Sequence, residues 1–393
     1  MMLTKIKVKM KFTQEQMSEI ISSLTSGKKG FQELIRIGME SLMKSEREIY
    51  NSQAEDVSNG FRERRVYHGG QMFEIRVPRS RESNFYPILL GVLKDQEAEL
   101  QRLVCSLYSQ GLTTKQVGDI SEEFYGKHYS KSQVSRLLDT ARSDVSAWLN
   151  RRLDARYPII YIDATYVATR RDDSVSNEAY YIILGVKEDR TREVLSIVNH
   201  PTESASNWLD IFEELKERGV KDIDLFVCDG LSSIENSIAQ AFPSADIQLC
   251  TVHLKRNIIN KIKPRDKKTV AAELQIIFRP DQDTVTQESS HKLFLDFISR
   301  WIKIYPGLKR YTDERYKFYF TYFKYEREIR GMIYTTNWIE RLNKDFKRVL
   351  KMRGAMPNYD SVILLLGNVA MNKDVFKYPI YNFLESKLFT EIK

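Results

Sequence analysis

The chain has 393 residues, room for two or three domains at roughly 150 residues each. Its 61 Lys and Arg against 53 Asp and Glu leave a formal charge of +8, and 42% hydrophobic with 29% charged residues is ordinary for a globular protein, which excludes disordered and collagen-like chains. Apolar runs such as Val362 to Leu366 fall far short of the ~20 residues that cross a bilayer, so no membrane partner is expected. The basic opening MMLTKIKVKMKF lacks the apolar core and cleavage site of a secretory signal. Cys105, Cys228 and Cys250 cannot make a disulfide framework and fit a reducing cytoplasm. The basic balance favours a polyanionic partner without requiring one.

In chain order, residues 1–93 mix helical pattern with the basic stretch NGFRERRVYHGGQMFEIRVPRSR. Arg62, Arg64 and Arg65 ahead of Gly69-Gly70 and the strand-like MFEIRV predict a β-hairpin carrying arginines; a solvated charged loop fits the same residues. Residues 94–152 read as helical. Leu100, Leu103, Val104 and Leu107 recur at helical spacing until Gly111 stops the pattern. Thr113-Thr114 caps a second helix with Val117, Ile120 and Phe124 on one face, broken at Gly126. Ser130 opens a third, SKSQVSRLLDTARSDVSAWL, with Val134, Leu137, Leu138, Ala141 and Val145 inward. This is the order of a helix-turn-helix, whose second helix would offer Lys131, Ser132, Gln133 and Arg136 to a DNA groove; a plain three-helix bundle is the alternative.

Residues 153–254 change texture. YPIIYIDATYVATRR, AYYIILGVKED and REVLSIVNH read as three antiparallel strands, with RDDSVSNE as a loop. SASNWLDIFEELKERG, with a Ser at its N-cap, is a helix stopped by Gly219. DIDLFVCDG is a buried-type strand suited to parallel pairing, LSSIENSIAQAF a helix, and ADIQLCTVH a last strand. Residues 255–331 show no strand pattern and many Lys, Arg and aromatic residues. In residues 332–393, TTNWIERLNKDFKRVLKMRG is an amphipathic helix. The fold class is therefore α/β.

Three carboxylates stand out. Asp163 sits within an apolar strand, where a charge needs a partner or an ion. Asp229 ends the strand LFVCDG, at the edge where α/β sheets gather ligands. Glu340 lies in the first turn of the late helix. Each has a plain alternative: a satisfied core carboxylate for Asp163, a turn for Asp229-Gly230, and a capping box closed with Asn337 for Glu340. On the late helix Ile339, Leu342, Phe346, Val349 and Leu350 form one stripe, and Glu340, Lys344, Lys347, Arg348 and Lys351 another. One acid among four bases suits a metal ligand set beside a polyanion. Three such oxygen ligands could seat two divalent ions about 3.5–4 Å apart for phosphodiester displacement. Cys228, Cys250 and His253 lack the fourth ligand of a structural zinc site.

YIDATY, VCDG followed by QLCTVHLKRN, and TTNWIERLNKDFKR resemble the Mutator-type transposases of bacterial insertion sequences, within the Asp-Asp-Glu class. The Cys250-x-x-His253-x-x-x-Asn257 neighbourhood is a specific marker, and NGFRERRV, VPRSR, GLTTKQVGDI and SKSQVSRLLD are also similar to that family. The likeness runs from about residue 60 to about 370. It implies a ribonuclease H-like core with a mixed sheet, a helical insertion ahead of the Glu340 helix, and an N-terminal region that binds terminal inverted repeats. It implies Asp163, Asp229 and Glu340 as catalytic ligands of two magnesium ions, for which manganese may substitute. His253, Arg256 and Asn257 would lie near the second Asp and help hold DNA, with Cys250 and Asn337 as further core candidates. Cleavage of element ends and joining of a 3′-hydroxyl to double-stranded target DNA would follow, by a homodimer or larger oligomer on DNA in the cytoplasm. A nuclease or resolvase without strand transfer, and a DNA-binding regulator without chemistry, are the rival expectations.

Overall fold

The computed structural model describes residues 13–24, 28–68, 71–82, 85–125, 129–199, 205–230, 234–280, 286–383 and 388. The Gly69-Gly70 turn, the Gly126 break and the serine cap expected before Ala205 lie outside them. The chain forms two compact units, Met1–Asp139 and Thr140–Lys393.

In the first unit α1 (Gln14–Leu24) packs on α2 (Lys28–Ala54), followed by the antiparallel strands β1 (Ser58–His68) and β2 (Gln71–Ser80). Alternation puts Val66, Phe73, Ile75 and Val77 on one side, against Met39 and Met43 of α2 and Leu90 and Leu93 of α3 (Ile88–Ser109). The arginine-bearing stretch is thus a hairpin rather than a loop. The buried Glu40 carboxylate is neutralised by Arg36 at 2.7 Å and Arg76 at 3.0 Å. Helices α4 (Thr114–Tyr125) and α5 (Lys131–Leu137) pack with α3 through Val104, Tyr108, Val117 and Val134. The third helix differs from expectation. It stops at Leu137, where the Leu138 N–H is shared between the carbonyls of Val134 and Ser135, and α6 (Asp139–Leu149) starts afresh. Apolar periodicity ran through the break, because Leu138 and Ala141 are buried on either side of it.

The second unit is built on a five-stranded sheet. In chain order come β3 (Arg156–Arg171), β4 (Ser174–Val186), β5 (Arg192–Asn199), α7 (Ala205–Glu217), β6 (Asp222–Cys228), α8 (Ile234–Ala241) and β7 (Asp246–Leu249). Their order across the sheet is β5-β4-β3-β6-β7. The first three pair antiparallel, while β6 runs parallel to β3 and β7 parallel to β6, a mixed sheet as expected. Two expectations give way. RDDSVSNE is mostly strand: β3 and β4 pair out to Arg171 and Ser174 around Asp172 at φ +48°, and Arg171 clamps Glu178 at 2.6 Å. CTVH is not strand: pairing ends at Leu249, and Cys250 begins α9 (Thr251–Ile259) as its N-cap.

Beyond α9 the described residues are helical: α10 (Lys267–Ile277), α11 (Gln287–Trp301), 3₁₀ segments Pro306–Tyr311 and Glu314–Lys324, then α12 (Arg327–Ile333), α13 (Asn337–Lys351) and α14 (Tyr359–Met371). Among the described residues no helix is long and apolar enough to cross a membrane.

On the even-numbered face of β3 and β6, Tyr181, Trp208, Phe212, Phe226 and Phe242 form a continuous aromatic layer that seats α7. The opposite face, which carries Tyr161 and Asp163, takes α13. At Gly185 of β4 an added Cβ would stand 2.6 Å from the Tyr157 ring. That ring cannot swing away, because its hydroxyl donates to Glu193 at 2.6 Å and accepts from the Asp154 N–H at 3.1 Å. Gly185→Ala should therefore destabilise the second unit by about 2 kcal/mol through overpacking, read from denaturant melts; an unchanged midpoint would show that the ring yields.

Candidate active site

Register alone brings the two aspartates together. Ile162 of β3 and Cys228 of β6 are the last parallel pair, so Asp163, midway along β3, and Asp229, just past the end of β6, each stand one residue further on. Alternation sends both to the same side of the sheet. Glu340 reaches that side from α13, whose start is fixed by three contacts. The Tyr161 hydroxyl donates to the Met332 carbonyl at 3.0 Å. The Thr251 N–H donates to the Tyr334 carbonyl at 3.1 Å. The Thr336 hydroxyl donates to Cys250 Sγ at 3.4 Å.

Thr336 is the N-cap of α13 and Asn337 its exposed first residue, with no side-chain cap bond. The capping-box alternative for Glu340 thus falls away. The apolar stripe is seated as expected: Ile339, Leu342, Phe346 and Val349 are buried. Leu350 is half-buried.

A pocket of about 380 Å³ is lined by Asp163, Asp229, Glu340, His253, Arg256, Asn343, Lys344 and Lys347, with Tyr166 and Tyr181 among its walls. Asp163 is 9% exposed. Burial pushes its carboxyl up to about 6; the charge of His253 and the Ala164 N–H pull against this, while Asp229 and Glu340 push the same way. His253 Nδ1 stands 3.5 Å from Asp229 Oδ1. Its contact with Cys250 raises the imidazole to about 9 against its burial, with Asp229 and Asp163 adding to the rise. That direction favours the protonated imidazole.

Asn343 is the residue that sequence reading missed. Its Nδ2 donates to Asp163 Oδ2 at 2.8 Å, and its Oδ1 is buried without a hydrogen-bond partner. A signal did exist: an amide between the apolar positions 342 and 346 falls on the inward flank of α13.

The remaining expected residues spread out. Arg348 and Lys351 are exposed on α13 and do not line the pocket; Asn257 is exposed one residue past Arg256. Cys228 and Cys250 are buried free thiols. In the first unit, Arg62 and Arg65 are exposed on β1, Arg64 is half-buried, and Arg65 pairs with Glu74 at 2.6 Å. Lys131, Ser132 and Arg136 are exposed on α5. Gln133 is half-buried, and its side-chain oxygen accepts from the Ser130 N–H at 2.8 Å in a capping box.

Among the described residues no three His, Cys, Asp or Glu side chains are gathered tightly enough to hold an ion as they stand. The donor chemistry nonetheless fits a hard divalent cation: three carboxylates face one polar pocket, and the buried one is the group whose charge most needs neutralising.

A family model described as Transposase, Mutator family, matches residues 4–378. The chain belongs to this family. The match begins well before residue 60, so the N-terminal helices share in it. A transposase for an insertion sequence element of Lactobacillus helveticus is 31% identical over 76% of this chain and 80% of its own length. Another, of Lactococcus lactis, is 30% identical over 80% and 77%. A third, from a Staphylococcus aureus transposon, is 30% identical over 80% of both. The Drosophila P element transposase strand transfer complex superposes at a TM-score of 0.30 with 12% identity, covering 72% of this chain and 79% of that one, a likeness too weak to bear on the fold.

The raised Asp163 makes a stability prediction for metal-free protein. Its folded value of about 6 lies above the ordinary 3.8, so the folded state binds the extra proton between them. Stability should fall as pH rises from about 4 to 6, by up to about 3 kcal/mol. Asp163→Asn should flatten that slope and melt higher than the parent at pH 7.5 in chelator. A mutant that melts lower across the range would show that the carboxylate is satisfied where it lies.

Proposed function

We propose that this chain cuts DNA at the ends of an insertion element and joins the freed 3′-hydroxyl to target DNA. The observation that carries the reading is the convergence of Asp163, Asp229 and Glu340, from two strands and a helix distant in sequence, on one pocket edged by Arg256, Lys344 and Lys347. A sheet with three antiparallel strands followed by parallel ones, with one acid midway along β3 and another just past the end of its parallel neighbour β6, supports the ribonuclease H-like reading of residues 153–254 and 332–393.

Asp163, Asp229 and Glu340 would hold two magnesium ions, or manganese in their place, which supply charge neutralisation and polarisation of the phosphodiester. The chain's own groups do the positioning. Asn343 fixes the Asp163 carboxylate by its 2.8 Å hydrogen bond. Lys344, Lys347 and Arg256 hold phosphates on either side of the scissile one. His253, at the wall of the same pocket, donates a hydrogen bond to a phosphate oxygen or to the oxygen that leaves.

In the first unit α4 and α5 act as a helix-turn-helix. Lys131, Ser132 and Arg136 reach the terminal repeat, and Arg62, Arg64 and Arg65 track its backbone from the hairpin. With its oxygen in the cap, Gln133 can offer only its amide N–H groups to a base. Two ends must be cut together, so the working form is a homodimer or larger assembly on DNA, acting in the cytoplasm.

Asp163→Asn, Asp229→Asn and Glu340→Gln should each abolish magnesium-dependent cleavage of an end-bearing duplex while DNA binding persists. Asn343→Ala should lower it about 10- to 100-fold. A folded Asp163→Asn protein that still cuts removes the proposal, and nicks without joined product favour a nuclease. Lys344→Gln and Lys347→Gln should each raise KM more than they lower kcat, and each should reduce the salt slope of binding by about one. An unchanged slope would mean that these lysines face away from the substrate.

A further inference from the structure

A second, smaller pocket opens beside the acidic one and shares its supporting segments. Asp229 and Arg256 line the acidic pocket; Gly230 and Asn257, the very next residues, line the second. Its other walls come from the helical insertion: Arg310, Tyr311, Asp313, Arg315, Tyr316 and Tyr319.

Three features give it the character of an anion site. Tyr311 is 7% exposed, and its hydroxyl is buried with no hydrogen-bond partner, a donor left unused. Arg310 is exposed, with its guanidinium carbon 5.3 Å from the centre of the Tyr311 ring. Gly230 leaves open the space where a Cβ would come within 3.0 Å of the Tyr319 hydroxyl and 3.6 Å of Arg315. Opposing charges lie nearby: Glu235 is engaged by Arg315 at 2.5 Å, Asp313 is exposed to water, and the Asp229 carboxylate accepts from the Gly230 N–H at 2.6 Å.

Size favours a small group. The pocket measures about 30 Å³. One water position needs roughly 10–15 Å³, so its inner part takes about two oxygen-sized groups. Two oxygens match the non-bridging pair of one phosphodiester.

We infer that this pocket is a phosphate subsite, in which Tyr311, Arg310 and Asn257 grip a DNA phosphate neighbouring the one at the acidic pocket and so set which bond is cut. It rests on the reading of the acidic pocket as the place of cleavage. The subsite adds direction to that reading, since a strand held at two phosphates can lie across Asp229-Gly230 in only one register.

The test uses full-length Asp163→Asn protein and binding alone, so it does not depend on cleavage. Duplexes bearing the element end are made with one neutral methylphosphonate linkage at successive positions, and Kd is measured for each. One position near the cut should weaken binding about tenfold, the loss of a charge-assisted hydrogen bond. Tyr311→Phe and Arg310→Gln should erase the sensitivity at that position and keep it elsewhere. Both changes are mild, one isosteric and one on an exposed residue, so misfolding should not intervene; unchanged melting temperature checks this. If both variants keep the parent profile, or lose affinity evenly at all positions, the subsite is overturned. If the profile behaves as expected but unmutated protein never cuts DNA in magnesium, the cleavage reading fails and the phosphate site stands.

Discussion

A carboxylate buried in the middle strand of a sheet is the constraint on which the rest of the second unit turns. Asp163 sits on β3 with β4 on one side and β6 on the other, and little water reaches it. A charge so placed is expensive unless something donates to it. Beside the adjacent Ala164 N–H, the donor is the Asn343 side chain, and Asn343 is on α13. The helix must therefore cross β3 at that level. Once it does, the helical period sets Glu340, Lys344 and Lys347 around the same opening, because residues three and four apart share a face.

That crossing has to be reached through a long insertion, which returns to the sheet where it left. Gln248 on β7 is fully buried and bonded three times: its Nε2 donates to the Leu249 carbonyl at 2.7 Å and the Tyr319 carbonyl at 3.2 Å, and its Oε1 accepts from the Tyr322 N–H at 2.7 Å. Thr321 adds a hydroxyl bond to the Ile247 carbonyl at 2.6 Å. The 3₁₀ segment Glu314–Lys324 thus runs beside the edge strand and covers its unpaired backbone, a common means of blunting an edge. From there α12 leads to the corner held by Tyr161 and Thr251. The closure entropy of so long a loop grows only slowly with its length, so a handful of such bonds suffices to fix it.

Much of this was legible from the residues. An aspartate within YIDATY, an aspartate ending LFVCDG and one acid among four bases on a strongly two-sided helix each declare a cost or a purpose that periodicity can reveal. Less was legible where local signals compete. RDDSVSNE has turn composition, but cross-strand pairing of Arg171 with Glu178 extends the hairpin through it. CTVH continues an apolar run, yet β6 has no further residue to pair with, so the chain turns into α9 instead. The break at Leu138 was hidden because the apolar stripe does not change phase across it. Asn343 was harder to read: its place on the inward flank of α13 marks it as buried, but not what it serves until its partner, 180 residues earlier, is known to lie opposite.

The electrostatics of the pocket explain how the acids can share one opening without being drawn into a cage. Three carboxylates repel one another, and Asp163 is held near 6 largely by burial, with Asp229 and Glu340 adding to it. His253, whose imidazole is raised to about 9, stands 3.5 Å from Asp229 and its charge pulls the Asp163 carboxyl down, offsetting part of that repulsion. Arg256, Lys344 and Lys347 stand at the pocket where water still screens them, so they offset less. A polyanion laid on those three would cancel their charge and leave the carboxylates more in need of cations than before. On the proposed function the same residues would couple substrate and metal: a divalent ion seated among the acids would lower the cost of bringing phosphate close, and a phosphate would raise the affinity of the acids for an ion.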